Sequence, residues 1–263
     1  MPLPSTVWRW VLWGLCLPFS ILLAACSSYT PPEHPTTIRI GICTSLRPLL
    51  DEVYGNYLEA HEDLSLEVLE GSERYILRKL QAKEVDVALI TAKDIPGARL
   101  IARDGLAIIV HPSNPVESLS LEELRAIYAG YIWDWGEIGG EGEIVLVSRE
   151  NGSGARAFFE ERVMGGIRVS PVAVVMPSSQ DVLEYISLNP KAIGYVSMGY
   201  LTEKVKALKL GGFQPSPSAV RTGKYPLSRP VYAVAINETG HSLVDFLTGP
   251  VGKNAIGRRY GLP

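Results

Sequence analysis

Apolar positions along the chain switch repeatedly between two spacings. In "TIRIGIC" (37–43) and "LSLEVLE" (64–70) they fall at every second residue, the period of a strand with one face on a core. Between them, "RPLLDEVYGNYLEAHE" (47–62) has the three-and-four spacing of a helix, with Pro48 near its start. "YILRKLQAK" (75–83) predicts a second helix, and "VDVALI" (85–90) and "LAIIVH" (106–111) two further strands. This alternation is the rhythm of an α/β domain.

After Pro112 the rhythm starts again. "SLEELRAIYAG" opens on Ser120 with Glu123 three residues on, a capping box, and closes on Gly130. "EIVLVS" (143–148), "GARAFFEERV" (154–163), "VAVVM" (172–176), "QDVLEYIS" (180–187), "AIGYV" (192–196) and "VKALKL" (205–210) make a second alternating set. A Pro/Ser/Gly-rich stretch ends it near residue 230. The remainder, "VYAVAI" (231–236) with helices around 241–247 and 250–259, is too small to stand alone and is expected to return to the first domain. The predicted lobes are therefore 37–112 with 222–263, and 113–221. Two chain crossings between two α/β lobes make a cleft with a hinge, a favoured place for a small ligand.

The first residues fit neither set. One basic residue, Arg9, precedes an apolar run from Trp10 to Leu23, which is too short to span a membrane and has the form of a signal peptide. The run ends in Leu23-Ala24-Ala25-Cys26, which resembles the lipobox of bacterial lipoproteins. That resemblance implies cleavage after residue 25, a lipid on Cys26 and attachment to the outer face of the cytoplasmic membrane. Residues 26–36, rich in Ser and Pro, read as a spacer. Cys16 lies in the leader and Cys26 at the anchor, so Cys43 is left alone and no internal disulfide is expected.

Formal net charge is −3. With no basic stripe or run, nucleic acid is not an expected partner. An acidic protein that holds an anion must do so with local donors, and one loop offers them. In "SRENGSGARAFF", Arg149 ends a strand, Gly152 and Gly154 let backbone approach closely, and Ser153 adds a hydroxyl where a helix begins. The same residues also fit an ordinary strand-to-helix turn with Ser153 as its cap. Thr44 and Ser45 after the first strand, and Ser72 after the second, place further hydroxyls in loops that face one crevice in an open α/β sheet.

Other chemistry finds less support. Ser153, His241 and Asp245 contain the residue types of a hydrolase triad, but "NGSGA" is not a nucleophile elbow. His34, His61, His111 and His241 show no metal-ligand spacing, and neither a metal nor a cofactor is expected. Trp133 and Trp135 fit either a ligand groove or packing beside a Gly-Gly turn.

The stretch "HPSNPVESLSLEELRAIYAGYIWDWGEIGGEGEIVLVSRENGSGARAFFEERV" resembles the middle of the phosphate-binding proteins of bacterial ABC phosphate importers, and "YPLSRPVY" (225–232) resembles their return to the first lobe. The resemblance implies a two-lobed type II periplasmic-binding fold and no catalysed reaction. It also implies an inorganic phosphate ligand, delivery to an ABC permease and its ATPase, and a monomer. Position by position it implies Arg149, Ser153 and Gly154 in the anion loop, Thr44 as the hydroxyl of the first loop and Ser72 as that of the second, while Ser45 is a ligand candidate from its place beside Thr44 alone. Two positions depart from the family. Ala155 stands where threonine is usual, leaving only an N–H. Thr91 stands where an aspartate commonly accepts the proton of hydrogen phosphate. Unless Asp94 or Asp86 turns inward, poor discrimination against sulfate, arsenate or molybdate follows. A sensory or adhesion domain on the same fold, or a receptor for another oxyanion, is the alternative. Arg149→Ala is expected to weaken anion capture and to leave the stability of the empty protein nearly unchanged.

Overall fold

The computed structural model describes residues 36–61 and 63–263. The leader and Cys26 lie outside the described residues, as does the spacer apart from Thr36, which already belongs to the first strand. Strand β1 (Thr36–Cys43) pairs in parallel with β2 (Leu64–Gly71) on one side and β3 (Val87–Ile90) on the other. Helices α1 (Arg47–Ala60) and α2 (Glu73–Gln81) connect them. α2 begins two residues before the apolar pattern because Ser72 caps it, its hydroxyl accepting from the Tyr75 N–H at 3.3 Å.

The largest departure from the sequence reading is β4. It runs twelve residues, Arg99–Val110, where the pattern marks a strand only from Leu106. "ARDG" reads as a break because a charged pair is out of place in a buried strand. In the structure Asp104 is 0% exposed, and the guanidinium of Arg229, itself 1% exposed, donates to it at 2.9 and 2.8 Å. Ser197 Oγ adds a third bond at 2.7 Å. The partner that makes the strand possible lies 125 residues away in sequence, on β11 (Ser228–Ala235).

A second group of elements follows: β5 (Ser118–Leu119), α3 (Leu121–Ala129), β6 (Val145–Arg149), α4 (Gly154–Phe159), β7 (Val174–Met176), α5 (Ser179–Leu188) and β8 (Ala192–Ser197). α3 has the expected capping box at Ser120 and a left-handed Gly130 at its end. α4 passes into a π-turn over Glu160–Met164, so the helix expected at 154–163 is present in two parts. The run 205–210 is two short strands, β9 (Lys206–Ala207) and β10 (Lys209–Leu210). A short α6 (Pro217–Arg221) precedes β11, and α7 (Glu238–Thr248) and α8 (Pro250–Gly257) complete the chain.

The main sheet has the order β2-β1-β3-β11-β4-β8-β6-β7, with β9 also on β4. β4 and β11 carry it from one group to the other. Residues Arg99–Gly105 of β4 pair antiparallel with β11, and Leu106–Val110 pair antiparallel with β8. The outer strands are parallel on both sides, β6 lying between β8 and β7. Their C-terminal ends carry the loops of interest: Thr44 after β1, Ser72 after β2, Thr91 after β3, and Arg149 to Gly154 at and after β6.

Candidate functional site

Arg149 is the last residue of β6 and is 1% exposed. A guanidinium cannot be buried without acceptors on its fork of donors. Here Nη2 donates to Thr44 Oγ1 at 2.8 Å, Nη1 to Ser179 Oγ at 2.6 Å, and Nε to Glu150 Oε2 at 2.9 Å. The carbonyls of Met176 and Pro177 accept further bonds, each at 3.2 Å. One side chain thus ties the β1 loop of the first group to the β6, β7 and α5 loops of the second. Tyr200 Oη adds a bond to the Thr44 carbonyl at 2.6 Å. Burial pushes that phenol well up, so it stays a donor at any physiological pH.

The loop after Arg149 faces the first group across a narrow seam. Gly152 sits at φ +102°, a conformation that favours glycine, and its carbonyl accepts from the Arg74 N–H at 3.2 Å. Ser153, 4% exposed, caps α4 by accepting from Arg156 N at 3.3 Å. Gly154 has no room for a side chain, since a Cβ there would stand 2.3 Å from Glu73 Oε2 and 2.8 Å from Thr91 Oγ1. Ala155 is fully buried and offers only its backbone. Hollows open along the seam: one of about 470 Å³ is lined by Glu73, Arg74, Gly152, Ser153, Gly154 and Arg156. Another, of about 520 Å³, lies between α1 and α5 and includes Tyr200.

Of the residues singled out in the sequence, Thr44 and Arg149 bond directly, and Ser72, Thr91, Ser153 and Gly154 gather at the same seam. Ser45 is buried, but its hydroxyl turns to the Cys43 sulfur at 3.8 Å. Three residues were not anticipated. Ser179 lies within the strand-helix junction "PSSQD", next to Ser178, which caps α5, and reads as part of that helix start. Glu150 adjoins Arg149 and reads as surface charge. Glu73 occupies the first turn of α2, where acids are ordinary helix chemistry. Its Oε1 accepts from Thr91 Oγ1 at 2.8 Å, from Ala92 N at 2.9 Å and from Thr91 N.

Neither aspartate considered for the acceptor role reaches this place. Asp86 is engaged by Arg39, whose Nη2 lies at 2.7 Å, and by Asn237 at 2.8 Å. Asp94 sits in a left-handed turn at φ +60° and is exposed. His241 and Asp245 lie on α7, where both line a hollow with His61 and Phe246 that Ser153 does not border. Asp245 pairs with Arg99 at 2.6 Å. Trp135 is packed, with its indole N–H on the Lys191 carbonyl at 2.9 Å, while Trp133 is exposed.

The chain resembles known proteins over most of its length. The family model described as a PBP superfamily domain matches residues 29–250. The phosphate-binding protein PstS of Bacillus subtilis is 30% identical over 202 residues, 73% of this chain and 67% of that one. A Clostridium perfringens protein solved with bound phosphate superposes with a TM-score of 0.81 at 28% identity, covering 87% of this chain and all of that one. An ABC-type phosphate transport receptor from Vibrio cholerae gives 0.68 at 28% identity, covering 86% of this chain and all of that one.

Proposed function

The chain belongs to the PBP superfamily and, within it, to the phosphate-binding PstS proteins, and from that premise we propose that it captures inorganic phosphate in its interlobe cleft and delivers it to an ABC permease. The observation that carries this reading is the place of Arg149. It is a fully buried guanidinium at the seam, bonded across it to Thr44 and backed by a loop whose glycines admit close approach. Charge-assisted hydrogen bonds contribute roughly 1.5–3 kcal/mol each, so three or four reach the ~8 kcal/mol of a micromolar complex. Thr44, Ser72, Thr91, Arg149, Ser153, Gly154 and the N–H of Ala155 surround the ligand. Ser45, with its hydroxyl on Cys43, acts through the shape of the β1 loop.

No reaction is catalysed, and the protein works as a monomer with lobes 37–112 plus 222–263 and 113–221. Support for these lobes comes from β4 and β11, the adjacent antiparallel strands through which the sheet passes from one group to the other. The protein acts outside the cytoplasm, held there by a lipid on Cys26 after removal of residues 1–25. Among the described residues no helix is long and apolar enough to cross a membrane. Labelled fatty acid that still attaches to Cys26→Ser would refute the anchor.

The ligand is tested by thermal shift. At a hundred times its Kd, phosphate adds about 2.7 kcal/mol to the folded state. In a domain of this size that raises Tm by about 5–10 °C. A Tm unmoved by millimolar phosphate refutes the reading.

A further inference from the structure

Thr91 stands where an acceptor carboxylate is expected, yet the site does contain a carboxylate, brought in by a different element. Glu73 is the first residue of α2 and is 8% exposed. Its two oxygens are not equivalent. Oε1 takes the Thr91 hydroxyl, the Thr91 N–H and the Ala92 N–H, so three donors fix the plane of the group. Oε2 takes part in none of these bonds and faces the opposite lobe, 2.3 Å from where a Cβ on Gly154 would stand. The Thr91 hydroxyl is thereby committed to holding Glu73, and Oε2 is presented to the anion loop.

We propose that Glu73 is the specificity-determining residue of this cleft, its Oε2 accepting the proton of a protonated oxyanion such as hydrogen phosphate and repelling oxyanions that carry none. This rests on the reading that the cleft binds phosphate. Sulfate at neutral pH has acceptors only, and against a buried carboxylate oxygen two acceptors face each other with no proton between them. The expected poor discrimination is therefore reversed: the acceptor is present, carried by α2 instead of the end of β3.

The same geometry makes the test sharp. In Glu73→Gln the three donors keep the amide carbonyl on their side, so the NH2 takes the position of Oε2. An acceptor becomes a donor with no change of shape. Titration calorimetry on the full chain, at mildly alkaline pH and fixed ionic strength, compares phosphate, sulfate and monofluorophosphate. The last keeps the phosphorus centre but has no proton to give. The wild type is expected to prefer phosphate over both others by about a hundredfold or more, as sites built around one obligatory hydrogen bond do. Glu73→Gln, with its fold checked by circular dichroism, is expected to narrow both ratios at least about tenfold, partly by gaining sulfate.

Unchanged ratios in Glu73→Gln, with phosphate still bound, overturn the role of Glu73 and leave the phosphate reading standing. Wild-type protein that binds monofluorophosphate or sulfate as tightly as phosphate does the same without any variant. Wild-type protein that binds none of the three overturns the phosphate reading, and this inference with it.

Discussion

Replacing Arg149 by alanine tests the proposed cleft, because the proposal has the side chain that braces the walls also meet the ligand. The guanidinium has hydrogen-bond partners on Thr44, Ser179 and Glu150 and on the carbonyls of Met176 and Pro177. Truncation leaves those acceptors without their donor and the Glu150 carboxylate, 25% exposed, without its counter-charge. Removing one partner of a buried, hydrogen-bonded pair typically costs about 3–5 kcal/mol. For a domain of this size each kcal/mol moves Tm by about 2–4 °C, so the ligand-free variant is expected to melt about 10 °C lower. The sequence alone gives the opposite expectation, a stability nearly unchanged, because a loop arginine at a strand end reads as a ligand contact and nothing more. Arg149→Lys keeps the charge but not the fork and should fall between the two. Scanning calorimetry of the ligand-free proteins measures the effect, and titration with phosphate should show affinity lowered at least about a hundredfold in Arg149→Ala. A ligand-free Tm within about 2 °C of wild type would refute the bracing role. Unchanged affinity would refute the site.

Other sites give further expectations. Gly154→Ala places a methyl group against Glu73 Oε2 and Thr91 Oγ1; the overpacking should cost about 1–3 kcal/mol of stability and weaken phosphate binding, and a variant with wild-type affinity would show that the seam opens freely there. Asp104→Ala strips the buried Arg229 of its partner and should destabilise by about 3–5 kcal/mol, whereas replacing both residues with apolar ones of similar volume should recover most of the loss; chemical denaturation of the single and double variants decides it. The Arg39 guanidinium holds the Asp86 carboxyl down at about 2, so this pair contributes fully above about pH 4 and is lost as pH falls towards 2. The acid limb of the stability curve should flatten in Asp86→Asn, and an unchanged limb would assign the acid sensitivity to other carboxylates.

The sequence by itself determined most of the elements and singled out the Arg149 to Gly154 loop as the candidate anion loop. Alternating and three-to-four spacing are local consequences of which side of a strand or helix meets the core, so β1, α1, β2, α3 and α5 were legible within a few residues. Caps are local too, which is why Ser120 and Gly130 marked both ends of α3. The Arg149 to Gly154 loop was legible because its residue types and spacing are contiguous. The tertiary structure decided whatever depends on partners far apart in the chain. Asp104 could continue β4 only because Arg229 lies beside it, and no window around residue 104 contains that arginine. Glu73 could be told from an ordinary first-turn acid only once β3 brought the Thr91 and Ala92 donors to one of its oxygens and Gly154 to the other. Ser179 reads as an ordinary first-turn serine beside the Ser178 cap, and only the packing of α5 against β6 sets it on the buried guanidinium. A long-range pair of charges or hydrogen-bonding groups leaves no periodic trace in the chain, because neither member is buried by its neighbours in sequence; each becomes favourable only when the fold has already brought the other within about 3 Å.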